Sequence, residues 1–187
     1  MRPMARLAPV PPESMTAEQR AMHDAVAAQR SVGQVRGPFA LLLHAPDIGS
    51  RVADMVNHFL SDTRVSHKLK ELAIIAVARQ YSARYEWFIH AARAVRMGLA
   101  EETKEIIRNG RRPDFTDAEE ALVYDLAVEI AETRTLSDGT YEAAVAALGE
   151  PAVLELVSLV GFYIMIAVVL NAYRVEIPDG GADPFAG

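Results

Sequence analysis

Cysteine is absent from the 187-residue chain. Its absence excludes disulfide bonds, thiolate metal sites, cysteine nucleophiles and dithiol redox chemistry. The sequence also lacks the phosphate-binding GxGxxG and Walker patterns, the GxSxG elbow of serine hydrolases and the HExxH zinc motif. We therefore expect no metal ion and no cofactor. The missing motifs also exclude the enzyme classes that are most easily recognised from sequence.

Positive charge is scarce and dispersed. Nineteen Lys and Arg stand against 25 Asp and Glu, a formal net charge of −6, and no basic stripe is visible. Nucleic acid is therefore not an expected partner. The most apolar stretch, 156–170, has 15 residues, which is shorter than the roughly 20 residues of a membrane span. The N-terminus has no signal-peptide pattern, so we expect a cytoplasmic protein without a membrane partner.

Helical signals dominate what is present, and no period-2 strand pattern is visible. We predict one all-α domain over 1–187 with seven to nine helices. It has a Pro-rich arm (1–13), a core over about 36–173 and an irregular tail (174–187). The helices are expected near 16–30, 46–60, 67–80, 82–97, 101–109, 116–133, 137–149 and 151–173, with a short apolar stretch at 39–43.

The cap signals are specific. Thr16 with Gln19 and Thr116 with Glu119 resemble capping boxes, Ser66 and Ser137 are expected N-caps, and Gly98 stands where a helix needs a left-handed residue. Stretch 156–170 is apolar around its whole circumference, so we expect a helix buried on every side. A chain of this size cannot easily cover such a helix alone, which predicts a homo-oligomer.

The segment 71–98 has the strongest chemical pattern. Glu86 and His90 are four residues apart, which places them on one helix face. A carboxylate there can hold one imidazole nitrogen and leave the other as a general acid or base. Glu71 emerges from an apolar stripe on the preceding helix. The alternative is that Glu86, His90 and Arg93 form a solvated charge ladder on an outer face.

This segment resembles the carboxymuconolactone decarboxylase and alkylhydroperoxidase D-like family. The redox branch of that family has the spacing Glu-x11-Cys-x2-Cys-x3-His, which here reads Glu71, Ala83, Glu86, His90. Because both cysteines are replaced, thiol peroxidase activity is not expected. The decarboxylase branch places Glu four residues before His, with a Gly eight residues further on, and EWFIHAARAVRMG matches it through Gly98.

The resemblance covers about 36–173 and implies a helical-hairpin bundle of the alkylhydroperoxidase D-like type, assembled as trimers or hexamers. It also implies a cofactor-independent lyase of aromatic compound catabolism that decarboxylates a small anionic lactone. The alternatives are an isomerase or hydratase acting on a related acid, and a non-catalytic oligomeric binding protein of the same fold.

On this basis His90 is the expected proton donor, Glu86 its orienting partner and Glu71 a second acid/base or water-positioning group. The candidate substrate-binding residues are Arg79, by charge type alone, Tyr163 and Asn171, as polar groups on the apolar last helix, and His44, which is more typical of a loop residue.

Overall fold

The computed structural model describes residues 5–29 and 35–186. These residues form nine α-helices and no strand, so the predicted all-α class is confirmed. The helices are α1 (Ala17–Ala28), α2 (Pro38–Leu42), α3 (Pro46–Leu60), α4 (His67–Gln80), α5 (Arg84–Arg96), α6 (Glu101–Arg108), α7 (Ala118–Thr133), α8 (Asp138–Leu148) and α9 (Glu150–Tyr173).

Several helix ends follow the local signals that the sequence contains. Thr16 and Gln19 form the predicted capping box at α1, and the Ser66 and Ser137 side chains accept backbone N–H bonds at α4 and α8. The predicted end of α1 at about Arg30 and the chain break at Gly33 lie outside the described residues.

Two predicted boundaries are wrong. The N-cap of α7 is Asp117, not Thr116, because the Asp117 carboxylate accepts hydrogen bonds from the Glu119 and Glu120 backbone N–H groups. Helix α5 begins at Arg84 rather than at Ser82, because Ser82 adopts a left-handed conformation (φ 48°) that ends the turn from α4.

Helix α4 is the centre of the molecule. Every residue from Leu69 to Ala78 is buried, and the helix packs against α5, α7 and α9. A turn of residues 81–83 joins α4 to α5, and so short a connection makes the two helices an antiparallel hairpin. A second apolar cluster forms where α1, α2 and α3 pack, around Met22, Phe39 and Val56, and it includes Ile166 of α9. The α4–α5 hairpin therefore meets two cores.

Helix α9 is not buried on every side within the described chain, so that prediction is wrong for a single copy. One face packs into both cores. The opposite face leaves apolar side chains in solvent: Leu154 is 67% exposed, Met165 41% and Val168 49%. The helix is also longer than the 15-residue apolar stretch suggested, because it extends from Glu150 to Tyr173.

Among the described residues, α9 is the one helix long and apolar enough to cross a membrane by length and composition. The 15-residue apolar stretch identified from the sequence is thus part of a longer helix. The finding is weak evidence for a span, because the core helix of a soluble protein meets the same criterion and one face of α9 packs against the core.

Candidate active site

The α4–α5 hairpin brings Glu71 and His90 into contact. Nδ1 of His90 lies 2.7 Å from Oε2 of Glu71. Both residues are almost fully buried, with 2% of Glu71 and 5% of His90 exposed. The sequence alone could not supply this contact, since the two residues are 19 positions apart on different helices.

Glu86 faces the second ring nitrogen of His90. Its Oε2 lies 3.3 Å from Nε2, at the i,i+4 spacing that the sequence predicted. An imidazole that donates from both nitrogens has to be protonated, so this arrangement suits the imidazolium form. Buried charges require partners, and here the ring has a carboxylate on each side.

Arg93 completes the charge balance of this cluster. Its Nε lies 3.2 Å from Oε1 of Glu71, so one carboxylate holds both Arg93 and His90. With His90 protonated, two cations face two anions. The Tyr163 ring packs edge-on against the His90 ring, with the centroids 5.2 Å apart, and fixes its tilt.

The pKa of His90 is raised from 6.5 to about 9. Burial by itself would lower this pKa, because it disfavours the charged ring. The charge of Glu71 and the hydrogen bonds to Glu71 and Glu86 outweigh burial and favour the protonated form. The raised pKa therefore favours a protonated His90 ring at neutral pH.

A cavity of about 90 Å³ lies beside this cluster. Its polar wall contains His90, Glu86, Arg93 and Arg36, while Glu71 is not part of the lining. Its remaining wall is largely apolar and aromatic, from Pro38, Phe39, Val56, Leu60, Tyr85, Ile89, Tyr163 and Ile166. Small-molecule sites usually enclose about 300–1,000 Å³, so this cavity can take only the reacting part of a ligand without side-chain movement.

The burial of Glu86 and His90 excludes a solvated charge ladder for these two of its three members. Glu86 and His90 are 4% and 5% exposed, whereas a charge ladder would place them in water. Glu71, expected as a second acid/base or water-positioning group, makes the shorter contact with His90. Glu86, expected as the orienting partner, makes the longer contact and lines the cavity.

Three predicted substrate-binding residues lie away from this cavity. Nε of Arg79 donates to the Arg108 carbonyl oxygen at 2.9 Å, and its guanidinium stacks on Phe185. Nδ2 of Asn171 donates to the carbonyl oxygen of Tyr81 at 2.7 Å. His44 lies in the turn between α2 and α3, where its Nε2 is 3.0 Å from the Ala8 carbonyl oxygen.

Arg36 and Arg93 were not identified from the sequence as ligand-binding residues. Arg93 had a signal, because it is three residues from His90 and shares its helix face. Arg36 had none, since it precedes a short helix, α2, whose packing against α3 and α9 is known only from the fold. No group of His, Asp and Glu side chains suited to a metal ion occurs in the described part of the chain.

Comparisons with known proteins leave the family open. No protein-family model matches the chain, and no curated protein or solved structure is significantly similar to it. The resemblance of the Glu86–His90 segment to the decarboxylase family therefore stays a prediction.

Proposed function

We propose that the protein is a cofactor-independent acid–base enzyme, a carbon–carbon lyase that resembles carboxymuconolactone decarboxylase. Its substrate would be a small carboxylated lactone or a related unsaturated acid, available in the cytoplasm that the sequence suggests. One observation carries this proposal: the buried His90 ring lies between two carboxylates on the wall of a cavity that two arginines also line.

In this proposal Glu71 and Glu86 exchange the roles expected from sequence. Glu71 holds Nδ1 at 2.7 Å and favours the charged ring, and it does not reach the cavity. Nε2 has only the looser 3.3 Å contact with Glu86, and Glu86 itself lines the cavity. His90 would therefore deliver its Nε2 proton to a bound substrate, with Glu86 beside that proton.

Arg36 and Arg93 would bind the substrate carboxylate. Arg93 uses Nε for Glu71, so its terminal nitrogens remain available, and Arg36 is exposed near the cavity mouth. A guanidinium forms two parallel hydrogen bonds with a carboxylate and so fixes its orientation. The remaining wall is mostly apolar and would strengthen these interactions by excluding water.

The proposed reaction needs one proton. The bond between the substrate carbon and its carboxylate breaks, CO₂ leaves, and the electron pair passes into the conjugated lactone carbonyl. The resulting dienolate carbon takes the Nε2 proton of His90, which is then restored from solvent. Orientation of the carboxylate and the nearby positive charges lower the barrier to charge development.

An isomerase would use the same two side chains. The Glu86 carboxylate and the His90 imidazolium both line the cavity, so one can remove a proton and the other add one without loss of CO₂. A hydratase would also require a water molecule next to Glu86. The substrate test separates these activities by their products.

The experiment is a screen of carboxylated lactones and muconates with detection of CO₂ and of double-bond migration. With any substrate found, His90→Ala should lower kcat by about 10²–10⁴-fold, because one general acid contributes about that factor. Glu86→Gln should lower kcat by a similar or smaller factor. The matched control is His67→Ala, because His67 is 41% exposed and pairs with the fully exposed Asp62.

Full activity in His90→Ala would refute the catalytic role of His90. Turnover without CO₂ would refute the lyase and leave the isomerase. No turnover of any member of the screen would favour the non-catalytic binding protein.

We also propose that the enzyme is a homo-oligomer that covers the exposed face of α9. The side chains Leu154, Met165 and Val168 on this face are apolar and uncharged. The same stripe on identical copies can be covered by repeated heterologous contacts, which close into a ring such as a trimer. A trimer or hexamer is the assembly that the family resemblance implies.

A further inference from the structure

A second cavity, of about 340 Å³, has Tyr85 in its lining in common with the cavity beside His90. It is bounded by the turn from α4 to α5, the C-terminal end of α9 and the chain tail. None of Glu71, Glu86 and His90 lines it. Its volume falls within the range of small-molecule sites, unlike that of the cavity beside His90.

Two arginines supply its positive charge. Nη1 of Arg84 donates to Oδ2 of Asp183 at 3.1 Å. Arg174 follows the last residue of α9, and its side chain has no hydrogen-bond or ion-pair partner among the side chains that the structure describes. Each guanidinium has five N–H donors, so most donors of this pair remain available for an anion.

One carboxylate of the protein, that of Asp183, already lies on an arginine of this cavity. Asp183 is the one acidic side chain in the described lining, and its carboxylate occupies a donor of Arg84 from the tail. Its other oxygen, Oδ1, accepts the backbone N–H of Phe185 at 3.0 Å. A carboxylate supplied by the protein itself thus occupies part of the position that a ligand carboxylate would take.

Aromatic rings form much of the remaining wall. Tyr81 and Tyr85 lie on the hairpin side and Phe185 on the tail side. The Phe185 ring is fixed, because it packs edge-on against Trp87 with centroids 5.4 Å apart and lies 5.1 Å from the Arg79 guanidinium carbon. Rigid aromatic walls next to two arginines suit a ligand with a planar apolar body and one carboxylate.

We propose that this cavity binds a small carboxylic acid with a planar apolar body. Its carboxylate bridges Arg84 and Arg174, and its ring lies against Tyr81 and Phe185. Asp183 competes with the ligand for Arg84. This site is independent of the reaction proposed for His90, because it shares only Tyr85 with the cavity beside His90.

The test is isothermal titration of the intact protein with benzoate, with benzyl alcohol as the uncharged comparison. We expect saturable binding of one benzoate per chain and at least tenfold weaker binding of benzyl alcohol. Arg174→Gln should weaken benzoate binding by about tenfold or more, since a hydrogen bond between charged groups is lost. Asp183→Asn should tighten binding, because it removes the competing charge.

Two control variants make the result specific. Arg96→Gln removes the same charge at an exposed position on α5 outside the cavity, and should leave benzoate binding unchanged. His90→Gln should also leave it unchanged, which separates this site from the cavity beside His90. The proposal is overturned by a dissociation constant weaker than about 10 mM, by equal effects of the Arg174 and Arg96 substitutions, or by weaker binding in Asp183→Asn.

Discussion

Protonation of His90 should make the stability of the protein depend on pH between about 6.5 and 9. The folded-state pKa of His90 is raised to about 9, against 6.5 for an unperturbed histidine. A raised pKa stabilises the fold fully below 6.5, and this contribution is lost as the pH rises through 9. The difference between the two pKa values corresponds to roughly 3 kcal/mol in the free energy of unfolding.

The measurement is urea unfolding of the wild type and of His90→Gln at several pH values and one protein concentration. We expect the stability of the wild type, relative to the variant, to fall by roughly 3 kcal/mol from pH 6 to pH 9.5. Other groups that titrate in alkaline solution, such as Lys70, whose pKa is lowered by burial, cancel in this difference. Glu71→Gln should flatten the same profile, because it removes the charge that holds the proton on His90.

His67→Gln is the control for this experiment. Its ring is 41% exposed, so the substitution should leave the pH profile of the wild type unchanged. Parallel profiles for the wild type and His90→Gln would refute the reasoning. They would mean that the two carboxylates do not hold a charged ring in the folded protein.

Three further predictions concern stability and assembly. Gly37→Ala should lower the free energy of unfolding, measured in urea, by about 1–3 kcal/mol. Gly37 has a φ of +58°, and a Cβ there would overlap the Tyr85 ring. Lys70→Met should lower the free energy of unfolding by about 3 kcal/mol or more, because the Lys70 ammonium and the buried Glu155 carboxylate both hydrogen-bond to the Thr63 hydroxyl. Adding Glu155→Gln should recover part of this loss. Val168→Glu should convert an oligomer into monomers by light scattering; a monomeric wild type at micromolar concentration would contradict the proposed assembly.

The sequence predicted the helices well because their ends are specified locally. The Ser66 and Ser137 hydroxyls bind backbone groups within three residues, so no tertiary contact is needed to identify them. The N-cap of α7 was displaced by one residue because the adjacent Thr116 and Asp117 are both good cap residues, and Asp117 has a further contact. Asp117 not only caps the helix but also accepts a hydrogen bond from Lys68 at 3.1 Å, and the sequence does not show that contact.

Spacing along one helix predicted a contact only between Glu86 and His90, while Glu71 and Tyr163 were named as site residues without a stated contact and both contact His90. Glu86 and His90 follow from i,i+4 spacing, and their contact is present. Arg79 and Asn171 were chosen for charge and polarity without knowledge of the face they occupy, and both bind backbone carbonyls elsewhere. The exposed face of α9 was missed because an apolar sequence does not tell which of its sides has a neighbour.

The pairing of Glu71 with His90 follows from the register of the hairpin. Glu71 lies nine residues before Gln80, the end of α4, and Arg93 lies nine residues after Arg84, the start of α5. At 1.5 Å per residue each is about 14 Å from the turn, so an antiparallel hairpin places Arg93 opposite Glu71.

His90 is three residues before Arg93, about one turn nearer the hairpin loop on the same face of α5. One carboxylate can span that turn, and Glu71 does so, with Oε1 on Arg93 and Oε2 on His90. The register thus explains why a single carboxylate both favours the charge on the imidazole and holds the arginine next to the cavity. Loss of Glu71 would therefore disturb the proposed proton donor and the proposed carboxylate-binding group together, whereas loss of Glu86 would disturb only the proposed proton donor.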